Sequence, residues 1–97
     1  MSDRKTVSIV GASGYTGGEL LRLLLDHPGV EVKAATSRAN KGDPIHRRHP
    51  NLRGRSGLMF TAPDEVEPSD VIFLCMPHGR AAGDIDRWMG LGSTVID

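Results

Sequence analysis

The segment Gly11-Ala12-Ser13-Gly14-Tyr15-Thr16-Gly17-Gly18 has the residue types and spacing to do chemistry. Glycines at positions 11, 14 and 17 form G-x-x-G-x-x-G, a spacing variant of the turn with which a chain wraps a dinucleotide. Gly11 lets the chain turn sharply out of a strand, Gly14 lets backbone approach a pyrophosphate, and Gly17 lets a helix pack closely on a sheet. A helix opening there offers unpaired N–H groups and a positive dipole end to phosphate oxygens. Ser13 and Thr16 add hydroxyl donors. The same glycines without that context would serve tight packing alone; a strand before them and an apolar helix after them are what the dinucleotide reading requires. No Gly-Lys-Ser/Thr follows, so the segment is not a P-loop.

The end of the second strand selects the dinucleotide. An acid there would bond the ribose hydroxyls of NAD. The sequence instead reads Thr36-Ser37-Arg38, and Glu31 lies at the other end of the strand. A hydroxyl followed by a guanidinium suits a 2′-phosphate, because Arg presents a planar fork of donors to phosphate oxygens. The expected cofactor is therefore NADP.

Three further features carry weaker signals. His46 to Arg55 holds Arg47, Arg48, Arg53 and Arg55 and no acid. Charge alone makes it a solvated loop, and it is also the candidate contact for a substrate phosphate or an acidic partner. His46 and His49 lack the cysteine or carboxylate company of a metal site, so no metal is expected. Pro77-His78-Gly79 ends an apolar strand at the sheet edge where ligands lie, and His78 either lines the cofactor cleft or caps the next helix. Cys75, the single cysteine, sits inside that apolar strand, where a thiol is a small buried hydrophobe with no base placed for it.

The elements that position these residues alternate between strand and helix. Val7 to Val10 is a short β-branched run and reads as a buried strand. Glu19 to Asp26 predicts a helix in which Leu20, Leu21, Leu24 and Leu25, with Leu23 beside them, give a wide apolar face, stopped by His27-Pro28-Gly29. Val30 to Thr36 is a second strand. Ser37 to Gly57, rich in Gly, Pro, Lys and Arg and poor in apolar residues, reads as a long irregular excursion. Leu58-Met59-Phe60 reads as a short strand and Asp70 to Met76 as a strong one. Arg80 to Gly90 follows as a helix with Ala81, Ala82, Ile85, Trp88 and Met89 inward, and Thr94-Val95-Ile96 opens another strand. Apolar strands separated by helices imply a Rossmann-like α/β fold, a doubly wound parallel sheet.

Composition narrows the functions. Twelve Lys and Arg balance twelve Asp and Glu, so total charge drives no attraction to nucleic acid or membrane. Only 4% of residues are aromatic, too few for stacking platforms on single-stranded nucleic acid. No apolar run approaches the roughly 20 residues that span a bilayer. The polar start and the lone cysteine make the reducing cytoplasm the default compartment.

Taken together, Gly11 to Gly17, Thr36-Ser37-Arg38, His49-Pro50-Asn51-Leu52-Arg53-Gly54, Pro77-His78-Gly79 and Val95-Ile96-Asp97 resemble the N-acetyl-gamma-glutamyl-phosphate reductases, in order and over nearly all 97 residues. The His-Pro-Asn-Leu-Arg-Gly-Arg stretch resembles still more the branch acting on aminoadipate or glutamate attached to an amino-group carrier protein. The resemblance implies an NADP-binding Rossmann domain, here partial over 1–97, joined to a catalytic and dimerisation domain beyond it. It implies reduction of an N-blocked glutamyl or aminoadipyl phosphate to the semialdehyde in arginine or lysine biosynthesis. In that family a Cys thiolate displaces phosphate to give a thioester, hydride from NADPH releases the aldehyde, and a His assists as acid and base. Those Cys and His are expected beyond Asp97, so no catalytic residue is assigned and this part alone should turn nothing over. By the same resemblance Ser13, Gly14, Tyr15, Thr16, Ser37, Arg38 and Ala39 contact cofactor; some relatives carry a second Arg at the position of Ala39. Partners implied are a small acyl phosphate, an acidic carrier protein presenting it, and further copies of the full-length chain, with no nucleic acid or membrane. The alternative from another class is a stand-alone NADP-binding module that senses or scaffolds without catalysing.

Overall fold

A computed structural model describes residues 4–75 and 89–96. Four strands form one parallel sheet: β1 (Lys5–Val10), β2 (Val30–Ala35), β3 (Ser69–Leu74) and β4 (Gly92–Ile96), in the order β2-β1-β3-β4. β1 is central and pairs on both edges, with Ile9 opposite Ala35 on one side and Phe73 on the other. That placement explains its burial: Val7, Ser8, Ile9 and Val10 are all buried, as successive residues are only in a strand covered on both faces. β2 alternates half-buried and exposed positions along Val30–Ala34.

Side chains leave the sheet alternately and build two cores. Val7 and Ile9 join Ala12, Leu21, Ala35, Ile45, Leu52 and Phe60 on one face. Val10, Ile72 and Leu74 join Val66 on the other, with Leu91 and Val95 packed against them. Both faces are covered, as a doubly wound sheet requires.

α1 (Tyr15–Leu25) starts four residues before the expected helix, directly out of the glycine turn. Its buried stripe is Gly17, Gly18 and Leu21; Leu20, Leu24 and Leu25 are half-buried and Leu23 is 56% exposed. The helix ends on Asp26 in the right-handed region rather than on a left-handed glycine, and Gly29 instead donates to Nδ1 of His27 at 2.9 Å. Arg22 pairs with Glu19 on the exposed side.

The stretch read as an irregular excursion is folded. It contains a helical turn, α2 (Ile45–Arg48), and a 3-10 turn at Pro50–Leu52, for which proline presets the backbone. Its two large apolar side chains, Ile45 and Leu52, are fully buried beside Phe60. Two well-placed anchors fold a segment whose average composition is that of a loop, because burial acts on individual side chains. The expected strand at Leu58–Phe60 is reduced to single bridges, Met59 with Pro44 and Thr61 with Thr36. Thr61 N–H donates to the Ala35 carbonyl at 3.0 Å and Ser37 N–H to the Thr61 carbonyl at 2.9 Å, so this segment runs along the outer edge of β2.

Most of the helix expected at Arg80–Gly90 lies outside the described residues. Met89, expected to face inward, is 59% exposed; Leu91, two residues on, takes the place against the second core. No helix among the described residues is long and apolar enough to cross a membrane.

Candidate nucleotide site

The glycine turn leaves β1 at the carboxyl edge of the sheet. Gly11 has φ +80°, a conformation that L side chains rarely adopt, which is why the turn opens on glycine. Its N–H donates to Oγ1 of Thr36 at 3.1 Å, and the Ala12 N–H donates to the Thr36 carbonyl at 2.7 Å. Thr36 is fully buried and its own N–H donates to the Ile9 carbonyl. Thr36, next after β2, therefore holds the start of the turn at two points, Gly11 and Ala12, and ties to β1 at a third.

Gly17 allows the close approach expected of it. A Cβ on Gly17 would stand 2.6 Å from Cα of Ala12, so the helix could not seat on the turn with any larger residue. Gly14 differs in kind. It is the N-terminal cap of α1, no side chain caps the helix, and a Cβ built there would meet nothing within 4 Å. The first amides of any helix lack intrahelical partners and carry its positive dipole end. Gly14 thus borders open space beside uncapped donors, a setting that suits a phosphate group.

Ser37 is 4% exposed and donates through Oγ to Oγ of Ser13 at 3.0 Å, while accepting from both the backbone and side-chain nitrogens of Asn40. The two hydroxyl positions read separately from the sequence are in contact. Tyr15 is 87% exposed, and Thr16, Arg38 and Ala39 are exposed beside them in the chain. Gly11, Ser13 and Gly14 thus belong to one turn, with Tyr15, Thr16 and Gly17 in the first turn of α1 after it, and Ser13 joins them to the Ser37-Arg38-Ala39 corner. Pro77 and His78 lie outside the described residues. The strand that leads to them is in place: the Cys75 N–H donates to the Val10 carbonyl at 2.8 Å, which brings the end of β3 beside the turn. Cys75 is half-buried and packs against the main core.

The basic loop is not one solvated patch. Its arginines divide: Arg48 Nε donates to the Ser13 carbonyl at 3.2 Å, Arg47 pairs with Asp43 at 3.3 Å, and Arg55 pairs with Asp26 at the end of α1. Arg53 lines an open hollow of about 320 Å³ with Pro44, His46, Arg47 and Pro50. His49 sits against the turn. Its Nε2 lies 2.7 Å from the Ala12 carbonyl oxygen, its ring occupies the notch at Gly18, and it meets Phe60 edge-on at 6.2 Å. A Cβ on Gly18 would come within 2.5 Å of that ring. The roles of Thr36, His49 and Gly18 were not read from the residues. The doubled glycine at 17 and 18 is the signal that two surfaces, not one, approach the helix.

Two carboxylates titrate below their usual range, and neither is at the turn. Asp70 accepts from the Thr6 N–H at 2.8 Å and from the Thr6 hydroxyl at 3.1 Å, with Lys5 and Lys33 adding charge; these bonds favour its ionised form. Glu65 accepts from the Ala62 N–H at 2.8 Å and pairs with Lys41. Among the described residues no group of three His, Cys, Asp or Glu gathers as metal ligands do.

A parallel sheet in the order β2-β1-β3-β4, with a glycine turn at the carboxyl end of its central strand, defines a Rossmann-like nucleotide-binding fold. The chain belongs to the semialdehyde dehydrogenase NAD-binding domain family, whose model matches residues 6–97. It is 55% identical over 92 residues, covering 95% of this chain and 26% of the other, to a protein of Thermomicrobium roseum provisionally named LysW-L-2-aminoadipate 6-phosphate reductase. It is 45% identical over 96 residues, 99% of this chain and 28% of the other, to the LysW-L-2-aminoadipate 6-phosphate reductase of Deinococcus radiodurans. The chain therefore spans about a quarter of the length of the curated relatives it matches. Among solved structures, aspartate semialdehyde dehydrogenase with NADP from Candida albicans superposes with a TM-score of 0.67 at 22% identity, over 87% of this chain and 26% of that one. At that identity the likeness speaks for the fold.

Proposed function

We propose that this chain holds NADP as the cofactor-binding part of an acyl-phosphate reductase. Family membership supports dinucleotide binding, and the uncapped start of α1 beside Gly14 supports a pyrophosphate there. The observation that carries the choice of NADP is the end of β2. Thr36 and Ser37 are buried and used by the turn itself, no acid stands beside them, and Arg38 is exposed with no partner among the described residues. A free guanidinium at that corner suits a 2′-phosphate, and the missing carboxylate removes the usual grip on the ribose hydroxyls of NAD.

In this reading Gly11, Gly14 and Gly17 shape the turn, Ser13, Tyr15 and Thr16 line it, and Ser37, Arg38 and Ala39 form the corner for the 2′-phosphate. Pro77 and His78 complete the cleft from the end of β3. When bound, NADPH supplies the hydride. This chain's residues bind and orient it, while the nucleophilic Cys and the acid–base His belong to a catalytic and dimerising domain beyond Asp97. The substrate is an N-blocked glutamyl or aminoadipyl phosphate, the product its semialdehyde, and the compartment the cytoplasm. The relatives' names support an amino acid carried on the protein LysW. An acidic carrier would suit Arg53 and His46, which line an open hollow on the basic loop.

Calorimetric titration of the purified chain with NADPH and NADH tests the reading. NADPH binding tighter than NADH, with the difference closing in Arg38→Ala, is the expected result. Equal affinity for the two, or no binding by a folded chain, overturns it.

A further inference from the structure

His49 reaches the turn from a different part of the chain. Its backbone is fixed on both sides: its N–H donates to the Ile45 carbonyl at 3.0 Å, and its carbonyl accepts from Leu52 N–H at 2.9 Å. Ile45 and Leu52 are both fully buried, so the segment bearing His49 is anchored in the core at each end. The ring is held as well, between Phe60 and the notch at Gly18. A carbonyl can only accept, so Nε2 carries the proton in the 2.7 Å contact with Ala12.

That bond has a consequence for the next amide. All peptide bonds among the described residues are trans, and a trans peptide unit is planar with its carbonyl and N–H pointing opposite ways. Holding the Ala12 carbonyl therefore fixes the direction of the Ser13 N–H. The Ala12 N–H is held from the other side by the Thr36 carbonyl. Arg48 repeats the arrangement one peptide later through the Ser13 carbonyl, from an exposed side chain.

We propose that His49 is a positioning residue for the phosphate-binding turn: its Nε2–H fixes the peptide between Ala12 and Ser13 and so sets the orientation of the amides offered to the dinucleotide. The proposal rests on the nucleotide reading above and extends it to a residue remote from the glycine motif in sequence. The bond to Ala12, not the bulk of the ring, carries the effect.

The test compares His49→Phe, which keeps an aromatic ring and removes the donor, with His49→Gln, which keeps an N–H donor at similar reach. Each full chain is titrated with NADPH, and exchange of the Ala12 amide, bonded to the Thr36 carbonyl, is followed without nucleotide. His49→Phe should weaken NADPH about tenfold or more and speed exchange of the Ala12 amide, which the Thr36 carbonyl protects, while His49→Gln stays within about threefold of wild type. Gly18→Ala should reproduce the loss with His49 intact, because the new Cβ displaces the ring. Wild-type affinity and wild-type exchange in His49→Phe, or equal losses in the Phe and Gln variants, overturn the proposal. If wild type binds no dinucleotide, the nucleotide reading falls and the binding role with it, and the exchange rates show separately whether His49 holds the turn.

Discussion

Thr36 Oγ1 accepts the Gly11 N–H at 3.1 Å, so the residue that follows β2 also fixes the first glycine of the turn after β1. Neighbouring strands of the sheet thereby share one corner: the element that would hold phosphate is registered against the element that would read the ribose. Thr36→Val keeps the shape and the β-branch but leaves the Gly11 N–H without its acceptor. It should cost about 1–3 kcal/mol of stability in chemical denaturation, and a change below the error of the measurement would show that water replaces the hydroxyl.

Gly17→Ala and Gly14→Ala should separate packing from ligand access. At Gly17 the new Cβ would stand 2.6 Å from the Ala12 backbone, so the turn must shift, at about 1–3 kcal/mol. At Gly14, with φ −79° and no atom near the new Cβ, the fold should change by less than about 1 kcal/mol while NADPH affinity falls. Thermal melts with and without NADPH distinguish the two, and unchanged affinity in Gly14→Ala would remove the pyrophosphate from that place.

Arg38→Ala should weaken NADPH by about tenfold and leave NADH nearly untouched, the scale of one charge-assisted hydrogen bond made by an exposed group. Restoring a cation with Arg38→Lys should recover only part of the loss, because the planar fork is gone. Equal losses for both nucleotides in Arg38→Ala would mean that Arg38 meets some other part of the cofactor.

Acid should weaken the fold through Asp70, which ties Thr6 of β1 to the start of β3. Its folded pKa is depressed, chiefly by the Thr6 N–H. The stabilisation is thus fully present above the ordinary carboxylate range, and is lost as pH falls through the lower folded value. Asp70→Asn should flatten the acid limb of stability against pH. An unaltered limb would shift the effect to Glu65, whose pKa is lowered in the same direction.

Leu52→Ala should cost about 2–5 kcal/mol, since Leu52 is fully buried although it lies in a segment with the composition of a loop. Loosening this anchor should also release His49, so NADPH affinity should fall with stability. Urea denaturation and titration of the same sample measure both, and a loss of stability with unchanged affinity would uncouple the loop from the turn.

The local features were legible in the residues. β-branched runs fixed where β1 and β3 lie, and an apolar strand running into glycines and then leucines marked the turn and α1, because each depends on neighbours in the chain. Glycine's conformational freedom at position 11 and its lack of a Cβ at 17 belong to the residue type, so both roles could be assigned before any partner was known. The path of 37–57 could not. Ile45, Leu52 and His49 look like isolated residues in a basic stretch, and only packing against Phe60, Gly18 and Ala12 gives them their places. The same holds for Ser37, read as a cofactor contact and found buried against Ser13. Sequence by itself determined the parallel α/β sheet and the site of the turn, since strand, helix and glycine preferences act over a few residues. Tertiary structure alone decided what holds that turn, because the hydrogen bonds from Thr36 and His49 join positions separated by 25 and 37 residues, a distance over which no local preference acts.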